Sequence, residues 1–400
     1  MDTKFILIIS AVYPPEPVVS AKLSADLYKA LKADGKSVKV LHPKPTRPYG
    51  FQFGEIVEVG EDELVTDSYT CARSSLMGRT WENISFGLAC VKYIRKYHDE
   101  ISMVYIGTWP LFGQYMTMKE CIKYHLPTVT PVQDVYPESL SNKMKGGIGR
   151  FLQKVFLPID KYTLDKTNCI HVISEKMRDY LADTRKISPD KFVVVINWQD
   201  ETDFLEYQKN AVQEHHEKFT FMYMGNIGPV AGVDLLIDAF EIAQLKGARL
   251  VIAGSGSMKK ALKEKAKNNQ NIEFWDVPNG KVPEIQSKAD VMLLPIKRGA
   301  ASSSIPSKLP AYMFSAKPII GAIDENSDTA NAIRESEGGF VVEPENSDKL
   351  AEMMNLVAKM DSNELKVMGE RAQNYGLRVF SKGMNLPRLV DAIEKTEKKL

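Results

Sequence analysis

The hydrophobic pattern of the chain predicts an α/β protein built as two Rossmann-like, doubly wound domains facing a cleft. Three observations carry that prediction. Short β-branched runs alternate with longer helical patterns from end to end, the runs fall into two series of six, and 400 residues are too many for one core at about 150 residues per domain.

The first series opens with Lys4–Ala11, whose centre, Phe5-Ile6-Leu7-Ile8-Ile9, is the unbroken apolar run that a strand buried on both faces requires. Its start imitates a short signal peptide. It runs into Tyr13-Pro14-Pro15-Glu16 without a small-residue cleavage pattern, however, and is read as a strand. A helix over Ser20–Ala33 follows, then strands at Ser37–His42, Met103–Gly107, Thr128–Pro131, Cys169–Ile173 and Phe192–Ile196. The stretch Pro43–Thr80 carries Pro43, Pro45, Pro48, Gly50 and Gly54, then Glu61-Asp62-Glu63, without sustained periodicity, and is expected to be a long loop near the cleft. Polar residues over Asn197–Glu217 mark a linker. The second series comprises Thr220–Gly225, Arg249–Ala253, Asn271–Trp275, Val291–Pro295, Pro318–Gly321 and Gly339–Val342, with helices at Val233–Leu245, Met258–Asn268 and Lys349–Met360. The domains are therefore expected at 1–200 and 215–383.

Composition narrows the function. Lys and Arg number 52 against 51 Asp and Glu, a net charge of +1, whereas a protein that wraps nucleic acid needs a clear basic excess to neutralise phosphates. No nucleic-acid partner is expected. No run approaches the roughly 18 consecutive apolar residues of a membrane-spanning helix. Cys71, Cys90, Cys121 and Cys169 form no C-x-x-C and have no matching His pair, so they read as free thiols in a reducing cytosol, with neither a disulfide framework nor a zinc site.

Four segments have the composition of binding loops. Met224-Gly225-Asn226-Ile227-Gly228 stands between a strand and a helix, where glycine lets a ligand approach the backbone; a tight turn with no ligand explains it equally well. Gly254-Ser255-Gly256 follows a strand as in a dinucleotide fingerprint, with Glu273 placed for a ribose, but the third glycine is replaced by Lys259. Gly299–Lys308 brings small residues, hydroxyls and a lysine ahead of the helical run Leu309–Ser315, which suits a pyrophosphate; a flexible serine-rich loop is the alternative. Pro131–Glu138 ends a first-domain strand with Gln133 and Asp134, suited to sugar hydroxyls, unless Asp134 merely caps the turn before Tyr136-Pro137.

Taken in order, these segments resemble a family 4 glycosyltransferase of the GT-B fold. Gly225-Asn226-Ile227-Gly228 through Gly232–Phe240, Leu250–Ser257, Ala289-Asp290-Val291 before Leu293-Leu294-Pro295, Tyr312–Ile320 and Gly338–Pro344 are similar to that family's successive C-terminal motifs. Tyr13–Glu16, Gln133–Ser139 and Ile196-Asn197-Trp198-x-Asp200 resemble a bacterial subgroup that builds O-antigen and capsule polysaccharide and includes N-acetylfucosamine-type transferases. The resemblance implies a retaining transfer of an N-acetylamino sugar from UDP to a lipid-linked saccharide, without a metal or a protein nucleophile, the donor phosphate accepting the acceptor's proton. It implies catalytic roles for Gln133, Asp134, Glu16 and Lys308, and donor contacts from Gly225, Asn226, Gly228, Val277, Arg298, Ser303, Ser304, Ile305, Pro306, Ser307, Lys308 and Tyr312. Tyr13, Val18 and Val19 fall on the acceptor side. It also implies that the segment 384–400, with Leu386, Leu389, Val390 and Ile393 at helical spacing, joins the first domain.

The departures are informative. The family's paired glutamates fall on Ser303 and Ala311, its basic pair on Asn226 and Ala231, and its active-site histidine on Gln133. Lys308, with Arg298 second, is the natural replacement cation, because a leaving pyrophosphate needs electrostatic help. A nucleotide-sugar epimerase of the same fold, an NAD-dependent oxidoreductase using Gly254–Ser257 and a noncatalytic partner of another transferase are the competing readings. Finally, Ser141–Lys166 holds six basic residues and two acids, with Ile148, Phe151, Leu152, Val155, Phe156 and Ile159 at helical spacing. Such a helix suits an anionic leaflet, placing a cytoplasmic protein on the inner face of the membrane, or else packs its stripe on the first domain's sheet.

Overall fold

A computed structural model describes residues 4–45, 47, 60–71, 75–141, 144, 147–210, 217–299 and 305–398. The strands are β1 (Phe5–Ser10), β2 (Val38–Pro43), β3 (Glu63–Thr66), β4 (Ile101–Gly107), β5 (Thr128–Val132), β6 (Cys169–Val172) and β7 (Phe192–Val194). They continue with β8 (Phe219–Met224), β9 (Ala248–Ala253), β10 (Ile272–Trp275), β11 (Val291–Pro295), β12 (Ile319–Ala322) and β13 (Gly339–Val342). The chain divides into two compact units, 1–198 with 385–400, and 199–384.

Unit 1 is a seven-stranded parallel sheet in the order β3-β2-β1-β4-β5-β6-β7. β1 is buried along its whole length, and its residues alternate between two cores. Ile6 and Ile8 pack with Val38, Val40, Leu27 and Leu31, and with Leu386, Leu389, Val390 and Ile393 of the helix Lys382–Lys398. Phe5, Leu7 and Ile9 pack on the other face with Phe86, Cys90 and Ile94 of the helix Leu76–Tyr97 and with Met118 and Cys121 of the helix Phe112–Lys123. Each fully buried aliphatic side chain here contributes about 1.5–3 kcal/mol.

Unit 2 repeats the arrangement with six parallel strands, β10-β9-β8-β11-β12-β13. In both sheets the order reverses beside the first strand, between β1 and β4 and between β8 and β11. Ligands in such sheets bind beyond the carboxyl ends at that reversal.

Two local expectations change. The stretch Pro43–Thr80 contains β3, whose Glu63–Thr66 pair in register with Val40–Pro43, and the start of the helix Leu76–Tyr97, capped by Ser75 accepting from the Gly78 N–H. The linker Asn197–Glu217 contains the helix Thr202–Asn210, which belongs to unit 2: Phe204 is buried edge-on to Phe314, and Tyr207 hydrogen-bonds Ser287. A few apolar residues in a polar stretch were enough to dock it. Among the described residues, no helix is long and apolar enough to cross a membrane.

Candidate functional site

At the carboxyl edge of unit 2, the loops after β8 and β9 interlock. The Gly225 N–H donates to Ala253 O at 3.0 Å and the Ile227 N–H to Ser255 O at 2.7 Å. A Cβ on Gly254, whose φ is +129°, would overlap Gly225 O, and one on Gly256 would overlap Ile227 O. Glycine is therefore needed here for loop-to-loop contact. Lys259 Nζ donates to Gly254 O at 2.7 Å and to Asp276 Oδ1 at 2.7 Å, while Glu273 accepts from Trp275 Nε1 at 2.8 Å and pairs with Arg249. The dinucleotide reading thus loses both its glycine cradle and its ribose acid.

Lys308 begins the helix Lys308–Phe314 and lies across Gly225, so that any Cβ at 225 would run into its Cε. Its ammonium sits 5.4 Å from the centre of the Tyr223 ring. Among the described residues no carboxylate or hydrogen-bond acceptor pairs with it, and burial lowers its pKa. A half-dry cation without a counter-ion, beside the strand reversal of unit 2, is electrostatically ready for an anion.

The other expected donor contacts divide. Asn226 accepts the Tyr223 hydroxyl on its carbonyl at 2.6 Å and turns its side chain over Gly228. Val277 follows β10, and Ile305, Pro306 and Ser307 lead into the lysine's helix. Ser303 and Ser304 lie outside the described residues. Tyr312 is fully buried, donating to Met224 O at 2.7 Å and accepting from the Met224 N–H at 2.9 Å. It holds the end of β8 and does not face a ligand. Arg298 is committed to Glu343 at 2.8 Å and to Pro344 O, beyond β13, so its charge is already matched.

Unit 1 holds a pocket of about 270 Å³ at the carboxyl ends of β1, β4, β5 and β6, with Ser10, Gly107, Trp109, Gln133, Asp134 and His171 in its lining. Gln133 Oε1 accepts from Asn197 Nδ2 at 2.6 Å, so two motifs far apart in sequence meet at one wall. Asp134 is exposed. His171 is buried and its pKa is pushed down to about 4 by burial. As a neutral ring it donates from Nε2 to Val195 O at 3.0 Å and accepts from the Tyr105 hydroxyl at Nδ1. Thr108 Oγ1, Trp109 Nε1 and Asn197 Oδ1, in and beside this pocket, are buried polar atoms that find no partner among the described residues.

Behind the wall, Arg185 is completely buried. Its Nε donates to Asp160 at 2.9 Å, its two terminal nitrogens to Glu138 at 2.6 and 2.7 Å, and one of them to Tyr136 O at 2.6 Å. Burial raises the Asp160 pKa to about 6 against the pull of Arg185, whereas at Glu138 the bidentate pairing outweighs burial and lowers it. This network fixes the Gln133–Glu138 loop. The sequence gives no local signal for it: Arg185 ends an exposed-looking helix, Asp160 counts as one acid in a basic helix, and His171 sits inside a strand run.

Glu16 and Tyr13 take a different place from the one expected. Glu16 is buried, accepting from the Tyr13 N–H at 3.3 Å and the Arg47 N–H at 2.8 Å, and Tyr13 stacks on His42 at 4.8 Å. They organise the loop after β1 and are absent from the pocket lining. Val18 precedes the helix Val19–Ala33, and Val19 is exposed. In the helix Gly147–Lys166 the apolar stripe is split: Phe156 packs edge-on to Phe112, but Ile148, Phe151 and Val155 are exposed between Arg150 and Lys154.

Residues 206–375 match the family profile described as glycosyl transferases group 1, and residues 21–202 match glycosyltransferase family 4. Over 246 residues the chain is 22% identical to the probable glycosyltransferase WbjE of Pseudomonas aeruginosa, spanning 58% of this chain and 60% of that protein. Over 344 residues it is 22% identical to the putative colanic acid biosynthesis glycosyl transferase WcaI of Escherichia coli K12, spanning 76% and 79%. Among solved structures, a glycosyltransferase of Rickettsia africae superposes with a TM-score of 0.70 at 15% identity over the whole of both chains. Anabaena Alr3699/HepE in complex with UDP superposes with a TM-score of 0.64 at 13% identity, over 98% of this chain and 100% of that one. At such identities the superpositions establish the fold.

Proposed function

The chain belongs to the family 4 glycosyltransferases of the GT-B fold, and we propose that it transfers an N-acetylamino sugar from UDP to a lipid-linked saccharide in capsule or O-antigen assembly, with retention of anomeric configuration. Unit 2 takes the UDP. The observation that carries this reading is Lys308, a desolvated ammonium with no counter-ion among the described residues, lying over Gly225 at the strand reversal. UDP in the complex of HepE supports the choice of nucleotide.

Lys308 takes over the charge compensation that the family's basic pair supplies, and stabilises the diphosphate as it leaves. The donor phosphate accepts the acceptor's proton, so no protein nucleophile is assigned, and no divalent cation is needed. Gln133 and Asp134, fixed by Asn197 and by the Arg185 network, serve the sugar side in unit 1. The exposed Ile148, Phe151 and Val155, flanked by Arg150 and Lys154, rest on the anionic inner leaflet where a lipid-linked acceptor resides.

A thermal-shift panel of UDP, GDP, CMP and TDP sugars tests the donor: stabilisation by UDP sugars alone is expected, and stabilisation by NAD instead would overturn the reading. Donor consumed without acceptor would point to an epimerase, and no turnover with any donor to a noncatalytic partner. Flotation with anionic but not zwitterionic vesicles is expected, and Phe151→Asp should abolish it.

A further inference from the structure

Among the described residues, the lining of the unit 1 pocket includes two carboxylates, Asp134 and Asp160, and no lysine or arginine. Behind it stands one cation, Arg185, against two acids, and all three guanidinium nitrogens are already committed to Asp160, Glu138 and Tyr136 O. Arg47 lies 4.0 Å over the ring of Trp109 but is outside the lining and pairs with Glu82 at 2.7 Å. His171 is neutral, with both ring nitrogens occupied. An anion entering this pocket would meet the exposed carboxylate of Asp134 and the buried one of Asp160 and, among the described residues, no free positive charge.

The polar groups that remain open have a different character. Gln114 is 8% exposed, lines the pocket, and its side-chain amide has no protein partner among the described residues. Asp160 uses Oδ2 for Arg185, leaving Oδ1 without a partner among the described residues. Gln133 is held by its oxygen, which leaves its amide nitrogen to donate. Two amides and a carboxylate oxygen offer a hydroxyl-bearing ligand both donors and acceptors at fixed positions. The volume of about 270 Å³ lies just below the roughly 300–1,000 Å³ of drug-sized sites. It suits one ring and not a nucleotide.

We propose that this pocket is a subsite for a single uncharged sugar ring, and that it rejects hexuronates and phosphate-bearing sugars. Calling that ring the terminal residue of the acceptor rests on the glycosyltransferase reading; the charge selection does not. Any phosphate that links the acceptor to its lipid then stays outside the pocket. Gln114 is the specificity residue, and Asp160 reads a hydroxyl through the oxygen that Arg185 leaves open.

The test is ligand-observed NMR and calorimetry on the intact protein, with the methyl glycosides of glucose, N-acetylglucosamine and glucuronic acid as probes, and with UDP titrated in parallel. At least one neutral glycoside should bind, and the glucuronide should bind at least tenfold more weakly. Gln114→Ala should weaken the neutral ligand at least fivefold while leaving the UDP affinity and the melting temperature unchanged. Asp134→Asn should narrow the discrimination against the glucuronide. Glucuronide binding equal to or tighter than neutral binding would overturn the proposal. So would neutral binding indifferent to Gln114→Ala, or UDP binding without any glycoside binding. Glycoside binding without UDP binding would instead sink the donor assignment and leave the pocket standing.

Discussion

Lys308→Met separates charge from packing. The methionine keeps an unbranched stem across Gly225 and beneath Tyr223 but deletes the ammonium. Since Lys308 has no counter-ion among the described residues and burial already lowers its pKa, most of its desolvation is incurred before ligand arrives. A hydrogen bond to a charged group then contributes about 1.5–3 kcal/mol, so the UDP dissociation constant should rise roughly 10- to 150-fold. Uridine, which has no phosphates, should bind the variant and the wild type alike. Without ligand, Lys308→Met should melt no lower than the wild type, because it removes an unpaired half-buried charge. Calorimetry with UDP and uridine, together with apo melting curves, measures all three quantities. A UDP affinity within about threefold of wild type, or an equal loss for uridine and UDP, would refute the phosphate assignment.

Three further outcomes are expected. Arg185→Met leaves Glu138 and Asp160 buried without their cation, and should destabilise the protein by about 3–5 kcal/mol in urea unfolding; adding Glu138→Gln and Asp160→Asn should recover part of the loss. Gly254→Ala forces a Cβ onto Gly225 O at a φ of +129°, a change expected to cost about 2–4 kcal/mol and to weaken UDP binding by displacing the β8 loop. His171 is held near pKa 4 against an ordinary 6.5, so the unfolded chain takes up its proton first as pH falls. Its contribution is present above pH 6.5 and is lost between about 6.5 and 4, amounting to about 3 kcal/mol. Asp160, raised to about 6, acts in the opposite direction, so stability should be followed as the difference between wild type and His171→Gln.

Much of the fold was legible because its signals are local. The run Phe5–Ile9 cannot be solvated on either face, and the alternation of such runs with helical periods leaves few arrangements besides parallel sheets. The strand β3 was not legible, since its pairing with β2 makes a strand of four residues that carry little pattern of their own. The helix Thr202–Asn210 was missed for the same reason: Phe204 against Phe314 decides it, across a large separation in sequence.

The candidate site divides along the same line. The amino-acid sequence by itself determined two series of buried strands, the glycine turns at their carboxyl ends, and Lys308 as a cation just ahead of a helical run. These follow from side-chain period, backbone freedom and charge, which are properties of neighbours along the chain. Only the tertiary structure decided that Gly254 and Gly256 serve loop packing, that Tyr312 and Glu16 are internal supports, and that Arg185 with Asp160 builds the wall behind Gln133. Whether a polar group is spent on the fold or left open to a ligand depends on which distant groups are buried against it, and that is settled by packing in three dimensions.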